Sequence, residues 1–538
     1  MTPAGLVIPL TDESLGPLRE RVRARQLLPS DYPLLEAILE SVVSLAEALA
    51  QKDLSIRKLR RLLFGPSTEK TRDVIEGAKD GKEEASSEGP ADRDRAVKPR
   101  GKRKGHGRNG IKAYPGAQRI GVPLVGVKAG ESCPQCRKGT LYILRQPGQV
   151  PRVYGRPMLA VVVYELQKAR CSACGAVFTA ELPPQAGTEK FDATAGAMLA
   201  TLKYGSGLPF SRIETLQDSL HAPLAASTQW EVVRAVAAKV QPVREELMRQ
   251  AAQAAVIHND DTDMTILSLE GSPAPNGDGG ERRGVFTSAI VSEVEGHKVA
   301  LFFTGQKHAG ENLDEVLRRR DRGRAPPTQM CDGQSRNEPK EFQTIVSNCL
   351  AHARRRFIDV APQFRGESRR LLNSLGRVYR NDAVAKERGL SAEERLRFHR
   401  AKSGPILKRL KTWLQALFDE RRVEPNSGLG QAISYMLKRW DRLTRFLEKP
   451  GAPLDNNLCE RVLKMAILHR KNSYFYRTKR GAWVGDILMT LIETCRLNGV
   501  NPFDYLTALQ KHADRVRENP ARWLPWNYQE TVAGISGH

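Results

Sequence analysis

The first long hydrophobic pattern lies near the start of the chain. Leu35, Ile38, Val42, Leu45, Leu49, Lys52, Ile56, Leu59 and Leu63 follow one another in alternating steps of three and four. That spacing predicts a single helix over 31–64 with a heptad stripe, stopped by Gly65-Pro66. A stripe this long without a helix breaker predicts self-association through residues 35–63. Residues 193–204, 211–220 and 227–240 read as three further helices, with His221-Ala222-Pro223 between the last two. Those two fit a helix-turn-helix and plain helical packing equally well. Val- and Tyr-rich residues 150–166 read as strands. From residue 254 the texture changes. Strands are expected at 256–267, 285–292, 298–304 and 327–332, and helices at 311–320 and 341–360. Residues 365–448 read as mostly helical, a new helix starts around Glu460, and another covers 488–497. The fold class expected is a multidomain α+β protein.

Charge narrows the function. Across 538 residues, 85 Lys and Arg against 61 Asp and Glu leave a net charge of +24. A chain this basic meets a polyanion, with nucleic acid the first candidate and an anionic membrane surface the second. No apolar run approaches the ~18 residues that span a bilayer. The first residues lack a basic start followed by a long apolar core, so no signal peptide is expected and the cytoplasm is the expected compartment. Residues 72–112 form a polar, aromatic-free linker with a basic arm centred on Lys102, Arg103 and Lys104. Such arms bind phosphate without reading sequence. Cys133-Pro-Gln-Cys136 and Cys171-Ser-Ala-Cys174 are paired CxxC knuckles, the pattern of a closed, structural four-cysteine zinc site.

Three acids stand out. Asp260 lies on the first strand after residue 254, Asp332 ends the fourth, and Glu460 sits in a first helical turn flanked by Arg461, Lys464, Arg470 and Lys471. Asp261 rivals Asp260, because strand alternation lets only one of two neighbours face a given site. Asn457 to Glu460 also has the N-x-x-E spacing of a capping box. Three converging carboxylates can hold two Mg²⁺ ions about 4 Å apart and support in-line displacement at a phosphodiester.

The motifs resemble, block by block, the DDE transposases of bacterial insertion sequences, in particular the TnpC-type protein of the insertion sequence 66 class. His258-Asn259-Asp260-Asp261-Thr262 is similar to H-x-D-[ED]-T, and Cys349-Leu350-Ala351-His352-Ala353-Arg354-Arg355-Arg356-Phe357 to C-W-A-H-x-R-R-x-F. Asp455-Asn456-Asn457-Leu458-Cys459-Glu460-Arg461 resembles D-N-N-x-x-E-R, and residues 492–502 the C-terminal signature. The chain departs at Leu350, where the family usually has Trp, and at Gly333, where an aromatic usually follows the second acid. The resemblance implies an RNase H-like catalytic core over 251–510 with a helical insertion at about 365–448. Before it come a coiled-coil helix (1–71), the linker (72–112), a zinc-binding domain (113–190) and a helical segment (191–250), and after it a tail (511–538). It implies Mg²⁺ (or Mn²⁺) held by Asp260, Asp332 and Glu460, beside the zinc held by Cys133, Cys136, Cys171 and Cys174. DNA contacts are expected from Lys102, Arg103, Lys104, Arg354, Arg355, Arg461, Arg470 and Lys471. The partners implied are double-stranded DNA at element ends and target, further copies of the chain, and other proteins of the same element. Cys349 and His352 read either as a metal pair or as the inner face of a helix. The competing function is a zinc-ribbon and coiled-coil DNA-binding protein without catalysis.

Overall fold

The computed structural model describes residues 158–170, 177–275 and 281–536, with short stretches between 18 and 35 and between 129 and 140. The leucine stripe beyond Leu35, the basic arm and all four CxxC cysteines lie outside the described residues. The chain divides into one compact unit of residues 1–83 and 358–376, and a second of 84–357 and 377–538. In the first, Arg21 pairs with Asp31 at 2.7 Å and the Leu28 N–H donates to Asp31 Oδ2 at 2.9 Å, closing a short turn.

The second unit is built on one mixed sheet. Helices α1 (Ala193–Ala200), α2 (Phe210–Ser219) and α3 (Ala226–Ala252) lead into strand β1 (Val256–Met264). Strands β2 (Val285–Val294) and β3 (His297–Gly305), helix α4 (Ala309–Leu317), and strands β4 (Thr328–Cys331) and β5 (Ile345–Asn348) follow. The order across the sheet is β3-β2-β1-β4-β5. The first three strands are antiparallel; β4 and β5 join β1 in parallel. Helix α5 (Leu350–Val360) leaves β5. Five helices then fill the span before the third acid: α6 (Arg365–Glu387), α7 (Ala392–Lys402), α8 (Gly404–Asp419), α9 (Gly428–Lys438) and α10 (Trp440–Leu443). The chain returns through α11 (Asn457–Ser473) and α12 (Lys479–Leu497) to α13 (Pro502–Lys511), α14 (Ala513–Glu518) and α15 (Tyr528–Ser536).

One hydrophobic core joins these elements. Val233, Val236, Val240, Val243 and Leu247 of α3 share it with Ile290 of β2, Phe302 of β3 and Leu491 of α12. Trp523 and Tyr528 of the last segment belong to it as well. The helices at 193–252 are thus part of the body that carries the sheet.

Strand β3 is an edge, and its outward N–H groups need partners. Helix α12 supplies one at each. Lys298 N–H donates to Asn498 Oδ1 (3.0 Å), Ala300 to Thr494 Oγ1 (3.1 Å), Phe302 to Thr490 Oγ1 (3.1 Å) and Thr304 to Asp486 Oδ2 (2.7 Å). The match is metric. Two strand residues advance about 6.8 Å and four helical residues about 6.0 Å. A polar side chain every fourth position therefore meets every second amide.

Three expectations need correction. Residues 341–360 are not one helix, because Ile345 and Val346 open β5, which pairs in parallel with β4, and the helix begins only at Leu350. β-branched residues suit a pleated ladder better than a helix. Within 150–166, the described residues 158–166 hold no strand and leave Val161, Val162 and Val163 exposed; the strand starts at Lys168. The helix expected at 227–240 runs from Ala226 to Ala252 and carries Pro242 inside it, because burial of one whole face outweighs the lost amide.

Candidate functional site

The site starts from strand register. In the parallel pair β1–β4, Val256 faces Thr328 and His258 faces Met330, an offset of 72. The same offset carries Asp260 onto Asp332, one residue past the end of β4. Asp332 is held by the turn that follows it. Its Oδ1 accepts from the Gln334 N–H at 3.0 Å and from Asn337 Nδ2 at 2.6 Å. Its backbone carbonyl accepts from Asn348 Nδ2 of β5 at 3.2 Å.

Glu460 comes from α11, which packs across β1 and β2. Two side chains fix its first turn. Asn456 is fully buried. Its Oδ1 lies 3.1 Å from His258 Nδ1, its Nδ2 donates to the Asn259 carbonyl at 3.1 Å, and its N–H donates to Cys349 Sγ at 3.2 Å. Cys459 Sγ donates to the Ala289 carbonyl at 3.3 Å, and Ala289 is the cross-strand partner of Asp260. Glu460 follows Cys459 directly, so the turn is anchored over Asp260. The capping-box spacing is not used, for α11 has no side-chain cap at its start. Glu460 instead faces His352 Nδ1 at 3.6 Å and Arg355 at 3.7 Å.

Alternation separates the two neighbouring aspartates. His258 and Asp260 share the face that α11 covers. Asp261 points the other way, 2.9 Å from His308 Nδ1 at the start of α4 and 3.2 Å from an Arg336 nitrogen. Asp261 therefore has two cationic or donor partners. The acids that Asp260 meets are repulsive. Burial first, and then the negative charge of Asp332, push its carboxyl up to about 7, and Asp261 and Glu460 add to the rise against a hydrogen bond from the Asp261 N–H. Glu460 Oε1 and His352 Nδ1 are buried without a hydrogen-bond partner.

The cations sort into two kinds. Arg470 is engaged with the end of β1, donating to the Asp263 carbonyl at 2.6 Å and to Thr262 Oγ1 at 3.2 Å. Arg461, Lys464 and Lys471 stand exposed in steps of three and seven, a single stripe along α11 beside Glu460. Arg354 and Arg355 are half-exposed on α5.

One feature was not legible from motifs. A groove of about 930 Å³ opens beside Asp332, lined by Gly333, Gln334, Ser335, Arg336 and Glu338 from the turn after β4, and Lys438, Arg439 and Arg442 from the helical insertion. Arg439 donates to the Gly333 carbonyl at 3.1 Å and stacks on Tyr435, with Arg356 on the same ring. A Cβ at Gly333 would collide with Arg439 Nε and Tyr435 Oη. Side chains of the insertion thus stand beside the position that follows Asp332. The run Lys438-Arg439-Trp440-Asp441-Arg442 was the one sequence signal of this groove.

Comparison with known proteins gives the family of the chain. The model of the Transposase IS66 family matches residues 190–483, more than half of the chain. The chain belongs to that family. It is 32% identical over 190 residues to the uncharacterized protein y4jD of Sinorhizobium fredii, covering 35% of this chain and 36% of that one. It is 35% identical over 197 residues to y4hP of the same organism, covering 34% and 35%, and 25% identical over 359 residues to y4qI, covering 63% of each. The match thus spans about a third to just under two thirds of these curated relatives. The family's matched span contains the sheet, all three acids and the insertion. Among the described residues, no helix is long and apolar enough to cross a membrane.

Proposed function

We propose that the chain is a DDE transposase that binds insertion-sequence ends and performs Mg²⁺-dependent DNA cleavage and strand transfer. Residues 251–510 are its RNase H-like catalytic core, and Asp260, Asp332 and Glu460 are its triad. The observation that supports this reading is the strand register that sets Asp260 level with Asp332 under the helix that bears Glu460, together with an Asp260 carboxyl raised by burial first and then by the charges of Asp332, Asp261 and Glu460. Carboxylates gathered without a hydrogen-bond partner at Glu460 Oε1 fit a hard divalent cation such as Mg²⁺ or Mn²⁺. Such ions, when bound, activate an attacking oxygen and stabilise the leaving one.

The chain's own groups supply the rest. Asn456 and Cys459 keep Glu460 over the strand that bears Asp260. Arg355 beside Glu460 offsets part of the acidic charge and meets a phosphate. The exposed stripe Arg461, Lys464 and Lys471 and the half-exposed Arg354 hold the backbone on either side, while Arg470 orients the end of β1. The groove lined by Arg336, Lys438 and Arg439 offers a further phosphate track. First a DNA phosphodiester is hydrolysed to free a 3′-hydroxyl; that hydroxyl then displaces a 3′ leaving oxygen in target DNA.

The flanking parts belong to the same reading. The Lys168–Arg170 and Val177–Thr179 pair brackets Cys171 and Cys174, and a Ser132–Thr140 bridge brackets Cys133 and Cys136. Antiparallel brackets around both knuckles support a structural four-cysteine zinc site. Lys102, Arg103 and Lys104 add non-specific phosphate contacts, and residues 35–63 join copies of the chain. The proposed setting is the cytoplasm, on bacterial DNA, with other proteins of the same element as partners.

The test is 3′-end nicking and strand transfer on a labelled fragment carrying the flanking inverted repeats. Wild type is expected to cut with Mg²⁺ or Mn²⁺ and not with EDTA. Equal yields from wild type, Asp260→Asn and Glu460→Gln would remove the catalytic reading and leave a DNA-binding protein.

A further inference from the structure

We propose that Cys349, His352 and Glu460 form a second cation site that takes a thiophilic divalent ion of the Zn²⁺ class. By engaging Glu460, an ion bound there competes with the acidic triad for one of its members.

The sequence sets up half of this site. Cys349 immediately precedes α5 and His352 lies three residues on, so thiol and imidazole project from the same side of the first turn. Tertiary structure brings the third donor. The Cys349 sulfur, one imidazole nitrogen and one Glu460 oxygen all lie within 4.8 Å of one another. His352 Nδ1 and Glu460 Oε1 face each other at 3.6 Å, too far for a hydrogen bond, and both atoms are buried without a hydrogen-bond partner. Two orphaned polar atoms aimed at one point, with a sulfur beside them, describe a coordination shell better than a hydrogen-bond network.

The donor set selects the ion. Thiolate, imidazole and carboxylate oxygen are three protein ligands with a fourth position open, the arrangement of a reactive zinc site. Mg²⁺ takes oxygen ligands and leaves thiolate and imidazole aside. On binding, the Cys349 thiol proton leaves to water and the sulfur becomes the ligand. The Asn456 N–H donates to that sulfur at 3.2 Å and opposes, without cancelling, the burial that pushes the free thiol up to about 12. The same asparagine holds the triad's β1 side, so the two sites share a positioning residue as well as Glu460. Ion binding at the soft site rests on the local geometry alone; the competition rests on the triad reading.

Co²⁺ is the probe, because it substitutes for Zn²⁺ and its sulfur charge-transfer band is visible. Full-length wild type, Cys349→Ser and His352→Gln are dialysed against Co²⁺ with millimolar Mg²⁺ present. The CxxC cysteines take their cobalt in all three proteins, so the difference isolates this site. The expected result is one fewer Co²⁺ per chain in both variants and a weaker charge-transfer band in Cys349→Ser. Half-inhibition of strand transfer by Zn²⁺ should also move about tenfold higher in His352→Gln, measured against that variant's own uninhibited rate. Equal cobalt stoichiometry and spectra in the three proteins, or displacement of this cobalt by Mg²⁺, would overturn the proposal. If Cys349→Ser does not fold, the His352→Gln comparison decides. Loss of cobalt together with an Asp260→Asn protein as active as wild type would keep this site and remove the triad.

Discussion

Two helix–strand contacts on the same sheet are built from similar residues to opposite ends. Along β3 and α12, each outward amide from Lys298 to Thr304 meets an oxygen of Asn498, Thr494, Thr490 or Asp486. Asp486 is fully enclosed, and burial pushes its carboxyl up to about 6 while two hydrogen bonds from Thr304 work the other way. Everything there is satisfied within the protein. Between β1, β4 and α11 the reverse holds. Burial first, and then the charges of Asp332, Asp261 and Glu460, raise the Asp260 carboxyl, and Glu460 Oε1 has no hydrogen-bond partner. A buried polar group that finds its partner inside the fold is structural, and one left without a partner is reserved for something else. The contrast also reassigns a motif. Thr494, Asn498 and their neighbours belong to the C-terminal signature, yet their hydrogen bonds seal an edge strand.

The sharpest break between the two seams is expected at the acids. Asp260→Asn should lower strand transfer by at least about 10³-fold, on the scale of losing a catalytic carboxylate. Its melting temperature should hold or rise, because one of three repelling charges is gone. Asn456→Ala tests the joint between site and scaffold. It strips partners from His258 and the Asn259 carbonyl, and should cost about 2–3 kcal/mol in denaturant unfolding while also lowering activity. At the saturated seam, Asp486→Ala should cost about 2 kcal/mol by leaving the Thr304 amide unpaired and taking one of two partners from its hydroxyl, which keeps Thr287 Oγ1 at 2.9 Å. Activity per folded molecule should stay within about twofold, read on protein titrated by intact DNA binding.

The smallest effect concerns the insertion. Asp382 is held well below the usual carboxylate range: burial opposes its charge, but hydrogen bonds from His399 and Lys386 and the charge of Arg395 outweigh it. A lowered folded value means that the unfolded chain binds the proton more readily, so this stabilisation is complete above the ordinary carboxylate pKa of about 4 and fades as pH falls through and below it. Asp382→Asn should lower stability at neutral pH, where that contribution is complete, and so flatten the acid limb between pH 5 and about 2.

Much of the site was legible in the sequence because its members carry local signatures. Asp260 sits two residues after His258, and Glu460 three after Asn457, inside short motifs that fix their types. What the motifs left open was orientation. Asp260 and Asp261 are equivalent until the sheet assigns one to α11 and the other to His308. The groove at Arg336, Lys438 and Arg439 stayed hidden because its two walls are more than a hundred residues apart. Strand β5 was missed because a four-residue strand buried in a parallel sheet lacks the alternation by which strands are recognised.

Residue types and local spacing were thus enough to determine the chemistry this chain carries: hard carboxylates, paired thiols, a large excess of cations and a leucine stripe. They also determined most helices, because an amphipathic period is a local property. Tertiary structure alone decided that Asp260 lies level with Asp332, which cations are engaged by backbone and which stand exposed, and that Cys349 and His352 face Glu460. The reason is range. Hydrophobic periodicity acts over a few residues, whereas the electrostatics of the site act over ångströms between segments that only the sheet register and the Asn456 hub bring together.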